Sequence, residues 1–304
     1  MRTRIPTATA YGLAAVLCWS TVATAFKLAL QTLTPLQLVL IAAATSWLFL
    51  IVWLLVRAQL RVAFAGGLAD VARAVGFGLL NPLLYYLVLF AAYDRLPAQE
   101  AQALNYTWAL TMALLAIPVL GQRMRIGELL AALVSYAGVW VIATRGAVFQ
   151  VSFADPLGVG LALLSTLLWA SYWLLNTVVG KQQRKAPAVV LFENFSCALP
   201  LIVMCAWWQG ELLTLDWFGV AAGAYVGIFE MGLAFVLWQT ALARSDSAAQ
   251  ISTLIFLAPP ISLLLIYLVL GEAIALSTVL GLALILVGLA VQQRLALKST
   301  SPAG

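Results

Sequence analysis

The sequence predicts an all-helical polytopic membrane protein, with ten transmembrane helices forming two inverted five-helix repeats around a central cavity. Three observations lead there. Of the 304 residues, 64% are hydrophobic and only 9% charged, with a mean hydropathy of +1.04, too little polar surface to cover a water-soluble globule of this length. One unit also occurs twice, about 150 residues apart: Trp19 aligns with Trp169, Gly121 with Gly271 and Gly138 with Gly288. Leu104, Leu114, Leu115, Leu120 and Leu130 pair with Leu254, Leu264, Leu265, Leu270 and Leu280 at the same offset. Finally, the basic residues change connectors between the copies. Arg57, Arg61, Arg73, Arg123 and Arg125 follow spans two and four, whereas the matching connectors of the second copy, near Glu211 and Glu272, carry no Lys or Arg; Lys181, Arg184, Lys185 and Arg244 stand on the neighbouring ones. Positive connectors stay cytoplasmic, so an odd-numbered unit followed by its own copy sits in the membrane upside down. The expected repeats are residues 1–150 and 151–304.

A bilayer core of about 30 Å needs roughly 20 largely apolar residues per helix. Ten such segments are predicted, near Tyr11 to Leu30, Leu36 to Val56, Ala74 to Tyr93, Ala101 to Leu120, Gly127 to Thr144, Pro156 to Val179, Ala188 to Trp208, Trp217 to Ala243, Ala248 to Leu270 and Ile274 to Val291. Their apolar residues fall on all faces rather than on every second residue, which selects helices over an alternating barrel. The first segment is expected to stay as a span: its apolar stretch outlasts a secretory signal, Lys27 closes its far end, and no small-residue cleavage site follows. Gly219, Gly223 and Gly227 on span eight, with Gly158 and Ala162 on span six, mark faces where helices approach closely. Pro118 in span four and the pair Pro259 and Pro260 in span nine remove backbone donors and are expected to kink or open those helices.

Charge then sets orientation and excludes several functions. Of the sixteen Lys and Arg residues, only Lys27, Arg95 and Arg145 fall on the far side once the N-terminus is placed in the cytoplasm, so both termini are expected inside. The pI of 9.3 follows from this bias and implies no nucleic-acid partner. With no histidine and with Cys18, Cys197 and Cys205 all inside predicted spans, no metal site, disulfide framework or cofactor is expected. No GxxxxGK[ST] motif provides for an ATP-driven pump. Intramembrane hydrolysis would need a nucleophile with its base or a metal at depth, so an enzyme is not expected.

Polar residues at membrane depth are costly and therefore candidates for lining a cavity. Span four presents Asn105 and Trp108, with Glu100 at its start; span six presents Trp169, Tyr172, Trp173 and Asn176 along one stripe. Span one adds Trp19, Ser20 and Thr21, span three Asn81, Tyr85 and Tyr86, and span eight Glu230, Trp238 and Gln239. Aromatic rings with neutral hydrogen-bonding groups suit a neutral or zwitterionic, partly apolar solute. A phosphorylated solute would need several Arg or Lys at depth, which the spans lack. Glu230, and Glu193 a turn into span seven, are the candidate proton carriers.

Three segments carry a family resemblance: Leu17-Cys18-Trp19-Ser20-Thr21, Leu120-Gly121-Gln122 and Leu270-Gly271-Glu272, set in two five-helix halves. They resemble the ten-span drug/metabolite transporter superfamily of the EamA type over nearly the whole chain. Asn105-Tyr106-Thr107-Trp108-Ala109-Leu110-Thr111, preceded by Glu100, and Leu168-Trp169-Ala170-Ser171-Tyr172 look like its bacterial aromatic amino-acid exporter branch, which tends to have Pro where this chain has Ala109. The resemblance implies spans one, three, four, six, eight and nine around a central cavity, five and ten at the periphery, and export of amino acids. The expected function is thus inner-membrane export of aromatic and other neutral amino acids by alternating access. The alternative is a proton-coupled exporter of drugs or other small metabolites. Trp19, Tyr85, Trp108 and Trp169 would face the apolar side chain, with Tyr172 and Trp238 beside them; Asn81, Asn105, Asn176 and Gln239 would hydrogen-bond the zwitterionic head, and Glu230 completes the expected binding set. The expected partners are an amino-acid solute and the lipid bilayer, with the chain acting as a monomer.

Overall fold

Lipid offers no partner for a backbone amide, so each span must satisfy its own hydrogen bonds. A computed structural model describes residues 7–121, 126–149, 155–180, 185–213, 216–245, 251 and 253–300, and these are helical with no strand among them. Arg2, Arg4, Arg123, Arg125, Lys181 and Arg184, which enter the charge count above, lie outside the described residues, as does the side chain of Lys298. The spans are α1 (Thr7–Ala29), α2 (Pro35–Val56), α3 (Leu68–Arg95), α4 (Ala98–Leu120), α5 (Ile126–Ala143), α6 (Pro156–Val179), α7 (Pro187–Trp208), α8 (Trp217–Ala243), the shorter apolar α9 (Leu254–Leu270) and α10 (Leu276–Leu295). Among the described residues, all but α9 are long and apolar enough to cross a bilayer.

Two compact units form, and each takes helices from both halves of the sequence: Met1–Phe90 with Gln183–Leu270, and Ala91–Gln182 with Gly271–Gly304. In the first unit α2 and α7 run antiparallel. Thr34 caps α2 in a box with Gln37, and its hydroxyl donates to Glu211, just beyond the end of α7, at 2.6 Å. The Gln37 amide donates to the Glu211 carbonyl at 2.8 Å. Midway, the Trp47 indole donates to the Ser196 hydroxyl at 2.9 Å. At the other end Lys185, before α7, reaches Asp70 at the start of α3 at 3.1 Å. The glycine row of α8 packs on α2: a side chain at Gly223 would meet Ile41 and Leu38, and one at Gly227 would collide with Thr45 and the Ala42 carbonyl. Asp216 caps α8 by accepting from the Gly219 amide at 3.0 Å, which holds its carboxyl below the usual carboxylate range.

The second unit is organised by α5 against α10. Gly138 lies against the Gly281 carbonyl, Gly288 lies against the Ala131 carbonyl, and the Ser135 hydroxyl donates to the Ile285 carbonyl at 3.1 Å between them. Gly138 is the repeat equivalent of Gly288, and Ala131 of Gly281, so one contact occurs twice. That pattern arises only if two equivalent helices pack antiparallel about a two-fold. Equivalent spans therefore run antiparallel in both units, as α2 with α7 and as α5 with α10, which is the relation an inverted repeat requires.

Side chains from connectors close the helix ends of this unit. Glu272 accepts from the amides of Ala98 and Gln99 at 3.0 and 3.4 Å, capping α4 from the α9–α10 connector. The Gln99 side chain donates to the Ala273 carbonyl at 2.9 Å and accepts from the Ala275 amide at 2.8 Å. Asp155 accepts from the Gly158 amide at the start of α6 and pairs with Arg95 at 3.0 Å; the amide first and the guanidinium second hold its carboxyl low. Gly121 and Gly271, equivalent residues just past α4 and α9, take φ values of +65° and +68°, a left-handed conformation that favours glycine.

Proline was expected to kink or open α4 and α9. Helix runs unbroken from Trp108 to Leu120 through Pro118, and α4 breaks instead at Tyr106 and Thr107. So close to the helix end, the missing Pro118 donor costs one bond in the last turn. At Thr107 the amide bonds back to Leu104 and the hydroxyl takes the same carbonyl, tightening the chain locally. In α9, Pro259 and Pro260 stand in the first turn of the α-helical stretch Ala258–Leu265, after a 3-10 turn at Leu254–Leu257 and before a π-helical end at Ile266–Leu270. A first turn tolerates proline because its amides have no intrahelical partner.

Gly138→Val and Gly288→Val add a branched side chain to the same contact from its two sides. Each is expected to lower stability by about 1–3 kcal/mol, read as similar falls in the thermal unfolding midpoint in detergent. A fall in only one would contradict the two-fold. Glu272→Ala leaves two α4 amides without their acceptor and is expected to cost about 0.5–2 kcal/mol in the same measurement, with Glu272→Gln recovering part of it.

Candidate functional site

The candidate residues gather in two clusters, one within each unit. In the first, the Trp19 ring meets Phe235 edge-on at 6.2 Å and Trp238 at 5.2 Å, so α1 and α8 are joined by aromatic faces. The Thr21 hydroxyl bonds with the Tyr225 hydroxyl at 2.8 Å along the same pair. Trp238 also packs against Ala8, Ala241 and Ile251. Gln239 is half-buried on the same helix and enters none of these contacts.

Spans α3 and α8 both loosen at mid-membrane. The α3 span is kinked within Leu79–Leu84, where Asn81 leaves helical geometry at φ −148° and ψ 114° ahead of Pro82. Val226–Leu233 of α8 is π-helical, and it carries Glu230. Such widened turns disturb the α ladder and recur at functional sites. The Tyr86 hydroxyl donates to Glu230 Oε1 at 3.2 Å and so links the two stretches, and Tyr85 packs on Tyr86 with ring centroids 4.7 Å apart. Asn81, Tyr85, Tyr86 and Glu230 are all buried.

In the second unit Trp108 meets Trp169 edge-on at 6.5 Å, and Trp169 stacks on Tyr172 at 5.7 Å and meets Trp173 edge-on at the same distance. The break at Tyr106 and Thr107 sits just below Trp108. Above and below it α4 is stitched to α6, by the Asn105 amide donating to the Ser165 hydroxyl at 2.9 Å and by Thr111 and Thr166 sharing a bond at 3.0 Å. Asn176 donates to the Tyr172 carbonyl of its own helix at 2.8 Å. Glu100 pairs with Arg145 at 2.7 Å, tying the start of α4 to the residues after α5.

Glu193 has a different setting from Glu230. Lys185 donates to it at 2.7 Å and to Asp70 as well, while Arg73 pairs with Asp70, so its charge is met at the end of α7. The sequence expectation set Trp19, Tyr85, Trp108 and Trp169 about one central cavity; the ring contacts join Trp19 to Trp238, Trp108 to Trp169, and Trp169 to Tyr172. That expectation missed Ser165, Thr166 and Tyr225, whose hydroxyls join helices. The signal for Ser165 and Thr166 was a Ser or Thr one turn from an aromatic residue, which is common in any span.

Comparison with known proteins bears on this arrangement. The model of the EamA-like transporter family matches residues 7–144 and again residues 156–292, so the repeat seen in sequence is two copies of one family unit. A curated relative, the aromatic amino acid exporter YddG of Ancylobacter novellus, is 27% identical over 220 residues, which are 70% of this chain and 72% of that one. A solved crystal structure resembles the fold with a TM-score of 0.64 at 24% identity, over 97% of this chain and 99% of its own. Two matched copies spanning nearly all of its helices show that the chain belongs to the EamA-like transporter family.

Proposed function

We propose that the protein exports aromatic and other neutral amino acids across the inner membrane by alternating access, with both termini in the cytoplasm. The observation that carries this reading is the composition of the two clusters. Each presents aromatic rings beside neutral amides or hydroxyls at membrane depth, a surface that accepts an apolar side chain and a polar head together. The name of the curated relative, an aromatic amino acid exporter, agrees with that chemistry. Trp19, Asn81, Tyr85, Glu230, Trp238 and Gln239 in the first unit, and Asn105, Trp108, Trp169, Tyr172 and Asn176 in the second, are the proposed substrate contacts. The inverted repeats at 1–150 and 151–304 supply two oppositely oriented copies of one scaffold, the architecture on which alternating access is built.

A second reading, a proton-coupled exporter of drugs or other small metabolites, is favoured by one observation: Glu230 is a buried carboxyl in a span. It differs from the first in driving force, since an inward proton gradient would then accelerate efflux of such solutes and Glu230→Gln would abolish that acceleration.

Purified protein in liposomes decides the substrate. Labelled phenylalanine, tryptophan, methionine or threonine is expected to leave loaded vesicles faster than from protein-free controls, and four control-like rates would end the amino-acid reading. Trp108→Ala and Trp169→Ala are expected to slow phenylalanine about tenfold, the order of loss for one aromatic contact of about 1.5 kcal/mol, with the protein still folded. Orientation has its own measurement. In a background lacking Cys18, Cys197 and Cys205, Ala65→Cys is expected to react with an impermeant maleimide only from the cytoplasmic face, and Leu213→Cys only from the opposite one.

A further inference from the structure

Among the described residues, five buried side-chain oxygens in the first unit make no hydrogen bond, those of Thr24, Ser46, Asn81, Glu230 and Ser262, and Glu230 is the one acid among them. Glu230 is 8% exposed; its Oε1 takes the Tyr86 hydroxyl, and its Oε2 is enclosed without a hydrogen-bond partner. Asn81 is 1% exposed, and its Oδ1 is in the same condition. Asn81 stands at the kink of α3 and Glu230 in the π-helical stretch of α8, to which Tyr86, just past that kink, donates.

An unmet buried acceptor costs about 1–3 kcal/mol, and a carboxylate in a span costs more unless a charge is set against it. The ion pairs among the described residues do not include Glu230. Around it the titratable neighbours are Tyr86 of α3, which donates, and Cys18 of α1. Neither brings a positive charge. The fold thus leaves Glu230 enclosed with one oxygen unmet and no cation paired with it, whereas Asp70, Glu100, Asp155 and Glu193 are each set against an Arg or a Lys.

A primary ammonium fits that vacancy of donors. It carries three N–H groups, no acceptor and one positive charge, so it satisfies Oε2 and neutralises the carboxylate in a single step. The aromatic faces of Trp19, Phe235 and Trp238 stand on α1 and α8, the latter being the helix that bears Glu230, and such faces attract cations as well as apolar groups. We infer that Glu230, oriented by Tyr86, receives the α-ammonium of the transported amino acid. This rests on the amino-acid reading and assigns one end of the zwitterion to one carboxylate.

The decisive probes are two halves of phenylalanine. 2-Phenylethylamine keeps the ammonium and loses the carboxylate; 3-phenylpropionate does the reverse. Efflux of labelled phenylalanine from proteoliposomes at equal pH on both sides is measured against each. The amine is expected to inhibit the wild-type protein at concentrations near those of unlabelled phenylalanine, and the acid to require at least tenfold more. In Glu230→Gln the half-inhibitory concentration of the amine is expected to rise tenfold or more, and in Tyr86→Phe two- to fivefold. Should a variant fail to fold, thermal unfolding of the wild-type protein still answers, because the amine is expected to raise its midpoint and the acid to leave it unchanged. Unchanged amine inhibition in Glu230→Gln overturns the inference, and so does a variant that loses only its response to a pH gradient, which would give Glu230 to a proton. Wild-type protein that moves phenylalanine but ignores the amine sinks the inference and spares the exporter reading. Protein that moves no amino acid sinks both.

Discussion

Close approach of backbones between antiparallel equivalents is the constraint on which this architecture depends. Lipid tails are as apolar as leucine, so no hydrophobic force draws one span to another, and association must come from contact and hydrogen bonding between helices. At the α5–α10 seam the contact is made by Gly138, Gly281 and Gly288 with Ala131, where any side chain would separate the axes. Between α2 and α8 the same part is taken by Gly223 and Gly227 against Ile41, Ala42 and Thr45. Duplication supplies these faces in pairs: a helix whose small-residue face packs on its own copy needs only one sequence solution, used twice.

Polar groups divide between the ends of the helices and their middles. At the ends many are met: Glu272 takes two α4 amides, Gln99 bonds through both atoms of its amide group, Thr34 and Gln37 close a box and reach Glu211, and Asp155 and Asp216 cap the helices that follow them. These contacts hold connectors to helix starts and fix where each span begins. In the middle α3 is kinked and the α8 ladder widened, and Asn81 and Glu230 each keep an acceptor with no donor. Gln102 and Thr278, near helix starts, also keep an unmet atom, so Glu230 is set apart by being an acid and not by its depth alone. Unmet atoms at depth are what a carrier needs if its solute is to complete them.

Much of this was legible in the residues, and for identifiable reasons. Span positions followed from unbroken apolar runs, because a bilayer imposes its thickness on every segment. Gly138 and Gly288 aligned the two copies in sequence, but their role at the α5–α10 seam was not read from them, because Gly281, the partner of Gly138, aligns with Ala131 and no local pattern pairs two spans so far apart. Trp108, Trp169 and Tyr172 could be grouped because helical spacing puts the last two on one stripe. The bond between Tyr86 and Glu230 could not be read: its ends lie 144 residues apart and no local pattern links them. Nor could the π-helical stretches, which change no composition. Pro118 was expected to kink or open α4, and the departure from α-helix falls at Tyr106 and Thr107, where the Thr107 hydroxyl and amide both donate to the Leu104 carbonyl. Asn176 shows the converse difficulty, since composition cannot reveal that its amide donates to Tyr172 of its own helix.

The placement of cations narrows the cargo further. Arg73 pairs with Asp70, Arg95 with Asp155, Arg145 with Glu100 and Lys185 with both Glu193 and Asp70; Arg57 lies over the ring of Trp53 and Arg244 over that of Tyr11. All of these stand at helix ends or in connectors, and each already faces an acid or an aromatic ring. An anionic solute entering the spans would have to draw one of them away from its partner and carry the uncompensated acid as an added cost, several kcal/mol where the pair is partly buried. A phosphorylated solute would have to do so more than once. A zwitterion asks for no such exchange: its carboxylate can be held by amide and hydroxyl donors, its ammonium by acceptors and ring faces, and its net charge is zero in the medium where charge is dearest. The exporter reading proposed above therefore asks none of these paired cations to leave its partner.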